Sequence, residues 1–348
     1  MRRFAALLAV FLVSTACASA GTPTAESGRA LFYAKDGAIY ISEPAGSPGR
    51  KLTDGPHDTE PAAAPDGNRV AFVRKSDPAQ PGGELWVLDV ASGQTRRLID
   101  PAALVPAFEG DLRQVSTPRW SPTGDRIAFL RSTYGGGGAL LTAAADSGAV
   151  QTPRTQMFAG WGYAWAPDGR HIAWVQGRSD VRAVDVAVFT IGGSSVPVAK
   201  DTNAFAAGYA VDGSVLFSNG YVDERMFTGD IPFALRQGGI YSVRPPSGPQ
   251  PLITGASWFS DVAGLPSGAV GFTENSADYK TKTIKVLDRA GGSPRTVAET
   301  DGASPGPVWA DDTVAYIGIG DDQQLLVKQG DSEARRIDTG VDSFAWGG

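Results

Sequence analysis

The chain has 348 residues, 42% of them hydrophobic, and a formal charge of −6; with that apolar content, more than 300 residues can bury a large core. The negative balance argues against nucleic acid and against adsorption onto anionic lipid, since both are held by Lys and Arg placed against phosphate. A single cysteine excludes an internal disulfide, so stability must come from packing.

The chain opens on a targeting segment, with Arg2 and Arg3 as its charged start, Phe4 to Val13 as its apolar stretch, and small residues after that. Cys17 ends the run Ser14-Thr15-Ala16-Cys17, which resembles a lipoprotein processing site. This predicts a signal peptide over residues 1–17, a lipid on Cys17, a flexible tether over 18–27 and a folded domain over 28–348. Cleavage after Ala18-Ser19-Ala20 with free secretion is the competing reading. Either way the protein is exported, to the outer side of the cytoplasmic membrane or the periplasm. Removal of Arg2 and Arg3 takes the charge from −6 to −8.

Past the tether the sequence repeats itself. APDGNRVAFV (64–73), SPTGDRIAFL (121–130) and APDGRHIAWV (166–175) share one turn-then-strand pattern, and looser copies occupy 211–219, 265–275 and 309–319. RALFYAKDG at Arg29 is a headless version, which makes seven. Pro presets one backbone angle of the turn while Asp and Gly tolerate the left-handed region. Apolar residues then alternate, as in Val70 and Phe72 or Ile127 and Phe129, the period of a half-buried strand. Further strands follow at 83–90 and 94–99, and again at 283–289 and 294–299, so each unit holds four antiparallel strands.

A four-stranded unit of about 47 residues describes a propeller blade. With 44 glycines and 24 prolines, long helices are ruled out, and the chain reads as an all-β propeller of seven four-stranded blades, six if the weak sixth copy is discounted. Blade one lacks its first strand, and the last eight residues, VDSFAWGG, supply one that ends in Trp346, where other copies have Trp120, Trp165 and Trp309. Ser343 to Trp346 should therefore lie beside Ala30 to Tyr33 and close the ring, removing an open sheet edge. The recurring tryptophans are expected to pack blade against blade.

The run LTDGPHDTEPAAAPDGNRVAFVR (52–74) resembles the TolB-type, WD40-like propeller repeat of bacterial envelope proteins, with its Pro, Ser-Pro-Asp-Gly and Ile-Ala-Phe elements. Blades two to four match well and the others loosely. The sequence departs from TolB in having no small α/β domain before the propeller and in seven copies where TolB has six. The resemblance implies the fold; it does not carry over TolB's role or partner, because many activities share this scaffold.

Catalytic signatures are sparse. There is no Gly-x-Ser-x-Gly elbow. His57 falls between blades and His171 at the start of a second strand, which places them at opposite ends of the ring, so they cannot share a metal, and no metal or cofactor is expected. The glycines at 135–138 lack the Lys-Ser/Thr of a phosphate loop. Asp311-Asp312 and Asp321-Asp322 lack the alternating carboxylates of a calcium loop and read as solvated turns.

Loop length is the informative signal. Turns after strands one and three of each blade are short, and every long connection follows strand two or four, on the opposite face. Binding groups gather on such loops. The longest, residues 219–238, carries Tyr221, Phe227 and Phe233 among Asp223, Glu224, Arg225 and Arg236, an interface-like mixture. The 101–115 loop adds Phe108, Glu109, Asp111 and Arg113 on the same face. The candidate partner-binding residues are thus Tyr221, Asp223, Arg225, Phe227, Phe233, Arg236, Phe108 and Arg113. The expected function is a monomeric, envelope-anchored, non-enzymatic propeller that binds a protein or cell-wall polymer through this face and meets the membrane only through its lipid. A plug for the central channel is the bland alternative for the long loop. Two other functions stay open: a carboxylate-dependent polysaccharide lyase or hydrolase using Asp111, Asp223 or Glu224, and a small-ligand sensor.

Overall fold

The computed structural model describes residues 29–105, 113–132, 138–151, 159–177, 184–220, 238–255, 257–276, 280–302 and 304–347. Cys17 and the targeting segment lie outside these. Blade one consists of β28 (Val341–Trp346), β1 (Leu31–Lys35), β2 (Ala38–Ser42) and β3 (Arg50–Lys51). Blade two is β4 (Asp58–Ala63), β5 (Arg69–Arg74), β6 (Glu84–Asp89) and β7 (Thr95–Ile99); blade three is β8 (Gln114–Trp120), β9 (Arg126–Ser132), β10 (Gly138–Ala144) and β11 (Val150–Gln151). Blade four runs β12 (Ala159–Trp165), β13 (His171–Gly177), β14 (Val184–Thr190) and β15 (Ser195–Ala199), and blade five β16 (Ala204–Tyr209), β17 (Val215–Gly220), β18 (Gly238–Val243) and β19 (Gln250–Gly255). Blade six is β20 (Trp258–Gly264), β21 (Val270–Asn275), β22 (Thr281–Leu287) and β23 (Arg295–Asp301), and blade seven β24 (Val308–Ala310), β25 (Thr313–Ile317), β26 (Leu325–Gln329) and β27 (Arg335–Asp338). All neighbouring strands within a blade are antiparallel. The first strand of each blade is innermost, and first strands of adjacent blades meet at β28–β4, β4–β8, β12–β16, β16–β20 and β24–β28.

Seven blades are observed, and the C-terminal strand closes the ring. Leu31 pairs with Trp346, Phe32 with Ala345, Tyr33 with Phe344 and Ala34 with Ser343. The pairing lies one residue further along β1 than the sequence suggests, because Ala30 is taken by Gly347, whose N–H donates to the Ala30 carbonyl at 2.8 Å.

One hydrophobic cluster fills each interface between adjacent blades. This changes the reading of the second strands. They are buried on both faces, as in the uninterrupted burial of β13 and β25, because each blade is sandwiched between two others. The alternation seen in the sequence is large against small: Val70 and Phe72 face blade one, while Ala71 faces blade three.

The recurring tryptophans join the blades by packing as expected, and three of the four by a hydrogen bond as well. The indole N–H donates to a carbonyl at the corresponding position of the preceding blade, Trp120 to Ala62 at 2.9 Å, Trp165 to Arg119 at 3.0 Å and Trp346 to Val308 at 3.1 Å, whereas Trp309 Nε1 is buried without such a bond and its ring packs against the blade six–seven cluster. Small residues on the preceding blade let the neighbour approach closely. A Cβ on Gly162 would come within 2.6 Å of Ala206 Cα, and one on Gly271 within 2.6 Å of the Trp309 ring.

The turns between strands one and two repeat closely. Gly67, Gly124, Gly169, Gly213 and Gly268 have φ between 66° and 87°, and each donates its N–H three residues back, to Ala64, Ser121, Ala166, Ala210 and Leu265, at 2.9–3.0 Å. That left-handed position is why glycine ends each copy of the turn. Connections on this tight-turn face span two to seven residues. On the opposite, long-loop face the connection from β17 to β18 spans 17 residues, that from β7 to β8 spans 14, and that from β5 to β6 nine.

Candidate functional site

The long-loop face is set by where paired strands end. Arg74 pairs with Glu84, Gly177 with Val184, Gly220 with Gly238 and Asn275 with Lys282, and the intervening residues leave from that end of the ring. Tyr221, Asp223, Arg225, Phe227, Phe233 and Arg236 belong to the segment between Gly220 and Gly238 and lie outside the described residues, as does Phe108. Arg113 is described: its φ is 55°, and Nη1 donates to the Ala102 carbonyl at 3.2 Å, tying its loop to a single 3-10 turn at Pro101–Ala103 that Asp100 caps through Ala102 N–H.

The best-defined part of this face lies over blades one to three. Asp58, fully buried, receives a bidentate bond from Arg74, Nε to Oδ1 at 2.6 Å and Nη2 to Oδ2 at 2.8 Å. The Arg74 guanidinium also lies 4.4 Å from the Trp86 ring centroid, a cation–π contact. Trp86 Nε1 in turn donates to Glu84, which accepts from Arg97, which reaches Asp100. The 75–83 loop is pinned to blade three by reciprocal backbone bonds between Gly83 and Val115, and by Gln114, whose amide nitrogen donates to Gln80 and whose oxygen accepts from Gly82 N–H.

Inside this rim a row of contacts links four innermost strands. Glu60 occupies a bulge of β4 with φ 52°, and this left-handed kink turns its backbone toward blade one and its carboxylate toward blade three. Its N–H donates to Ser343 Oγ at 2.9 Å, while its carboxylate accepts from Thr117 N–H. Thr117, itself in a bulge with φ 46°, offers its carbonyl to the Tyr163 hydroxyl. Burial raises the Glu60 carboxyl above its ordinary range, against the opposing pull of Thr117 N–H and Lys75. Burial and the neighbouring Asp36 raise Asp342 as well, again opposed by Lys75. Glu60, Asp342, Asp36 and Lys75 thus form a charged sector at this mouth that sequence reasoning missed. Only the fold brings these residues together, and the Asp58–Arg74 pair was the accessible clue, sixteen residues apart yet directly opposed in register.

The remaining motifs fall where the sequence places them. His171 Nδ1 lies 2.6 Å from Asp168 Oδ2 on the tight-turn face, while the His57 carbonyl accepts from Lys75 on the long-loop face. Asp311, with φ 54°, and Asp312 form the two-residue turn between β24 and β25, and Asp322 accepts from Gln324. Among the described residues, no three His, Cys, Asp or Glu side chains gather to hold a metal ion.

No family model matches the chain. It is 25% identical over 130 residues, 36% of its length, to the uncharacterised peptidase YuxL of Bacillus subtilis, and that stretch covers 18% of the peptidase. Among solved structures, TolB from Acinetobacter baumannii superposes with a TM-score of 0.52 at 16% identity, over 94% of this chain and 68% of TolB. The tricorn protease gives 0.62 at 11% identity over 92% of this chain and 34% of the protease. Oligogalacturonate lyase from Vibrio parahaemolyticus gives 0.58 at 11% identity over 88% and 84%. What these likenesses establish is the fold, a β-propeller shared with TolB, with peptidases and with oligogalacturonate lyase; its seven blades are counted from this chain's own strands.

Proposed function

We propose that this propeller is a non-enzymatic binding module of the cell envelope, anchored through a lipid on Cys17, which captures a protein or cell-wall polymer on its long-loop face. The observation that carries this reading is the asymmetry of the ring: two to seven residues per connection on one face, and up to 17 on the other. A rigid ring offering long loops on one side alone is suited to recognition. The composition of residues 221–236 supports the same face, since Tyr, Phe and Arg anchors commonly cost 2 kcal/mol or more when truncated. The test compares capture from envelope extracts by the wild type, a deletion of residues 221–236, and Asp66→Ala and Asp168→Ala on the tight-turn face. Capture should fall at least about tenfold for the deletion and for Tyr221→Ala, Phe227→Ala and Arg236→Ala. Loss confined to the tight-turn variants would overturn the choice of face. For the anchor, Cys17→Ala should release the protein from the membrane fraction or leave the precursor unprocessed.

The charged sector favours one other reading, a carboxylate-dependent lyase or hydrolase in which Glu60, raised by burial, exchanges a proton beside Lys75. Turnover of oligogalacturonate by the wild type and its loss in Glu60→Gln would replace the binding proposal.

A further inference from the structure

Three buried polar atoms without a hydrogen-bond partner fall on one side of blade three: Arg126 Nη1, Thr142 Oγ1 and Gln151 Oε1. Register puts all three on the same side of the sheet. Thr142 pairs directly with Gln151, and residues so opposed project to the same side with Cβ atoms about 5 Å apart. Arg126 pairs with Ala144, two residues along β10 from Thr142, and so projects to that side too. The side is the one facing blade four, because Ala128 and Leu140, in phase with Arg126 and Thr142, pack against Trp165, Ile172 and Trp174.

The three atoms are chemically complementary. A guanidinium only donates, an amide oxygen only accepts, and a hydroxyl does either. A direct Arg126–Gln151 bond would have to cross β10, since β9 and β11 lie about 10 Å apart, and it would still leave the Thr142 hydroxyl without a partner. We propose that a single buried water molecule occupies the interface between blades three and four, accepting from Arg126 Nη1 and donating to Thr142 Oγ1 and Gln151 Oε1. Three such bonds are what an internal water makes. The apolar members of the same side, Ala128 and Leu140, pack with Trp165, Ile172 and Trp174 of blade four, so the water serves as a fixed element of that joint.

A crystal structure at a resolution that reveals ordered solvent tests this directly. One water should appear within about 3.2 Å of all three atoms. An empty space, or Arg126 Nη1 bonded straight to Gln151 Oε1, would overturn the proposal. Thr142→Val, nearly isosteric and compatible with a strand, supplies a second test in solution. A hydroxyl that holds a water loses a bond, and the melting temperature should fall by on the order of 2 °C. Removing an unpartnered buried hydroxyl relieves a desolvation cost instead, so an unchanged or higher melting temperature would equally overturn the proposal.

Discussion

Removal of β28 by truncation after Gly340 should abolish cooperative folding of the whole ring. Val341 and Phe344 on this strand are 1% and 7% exposed, and Tyr33, opposite Phe344, and Leu31, opposite Trp346, are fully buried in the same cluster. Each large apolar side chain contributes about 1.5–3 kcal/mol on burial. Losing two and exposing two therefore costs roughly 6–12 kcal/mol, comparable to the whole stability of a domain at about 5–15 kcal/mol. The Trp346 bond to Val308 and the ladder with β1 are lost as well. Differential scanning calorimetry should show no sharp transition for the truncated chain, and an apolar dye should bind it strongly. A truncated protein that melted at the parent temperature would refute the reasoning, because it would mean that β28 holds no part of the ring together. Phe344→Ala is the graded version, with an expected cost of about 3–5 kcal/mol.

Three further predictions concern close packing and buried charge. Gly271→Ala should destabilise by about 1–3 kcal/mol, because its Cβ would meet the Trp309 ring, while Gly248→Ala, with nothing within 4 Å, should move a urea midpoint hardly at all. Arg74→Met should cost about 3–5 kcal/mol by leaving the Asp58 carboxylate buried without its partner, and adding Asp58→Asn should recover most of that loss in the same titration. Asp338 accepts from Lys35 at 2.7 Å and from Tyr33 at 2.9 Å; burial alone would raise its carboxyl, but these donors and Thr339 N–H outweigh it and hold it below the ordinary range. A depressed carboxyl stabilises the fold above its unfolded value of about 4 and loses that contribution as pH falls through the lower folded value. The stability gap between wild type and Asp338→Asn should therefore be full at neutral pH and close in acid, and a gap that widened in acid would contradict the sign.

The repeat, the blade count and the closure are legible in the sequence because each depends on local chemistry: a Gly forced to positive φ, a Trp at a fixed offset, and a strand missing at one end and spare at the other. The double-sided burial of the second strands is less so, since the small partners Ala71 and Ala128 look like the weak half of an ordinary alternation. The charged sector was hidden for a different reason. Glu60 turns toward its partners through a bulge that breaks the period of two, and its contacts, Ser343 and Thr117, come from the far end of the chain and the next blade. No spacing rule within one repeat reaches them.

The ring also has a direction. Leu31 and Trp346 stand side by side at the tight-turn end, so β1 begins there, with its back to the long loops. The tether expected over residues 18–27 could span at most about 33–36 Å when drawn out fully. A ring carried on such a stalk by a lipid at Cys17 would sit like a cup on its stem, base toward the bilayer and open rim toward whatever lies beyond it. Molecules embedded in the same membrane would meet the smooth base, and those arriving from the far side of the compartment would meet the loops.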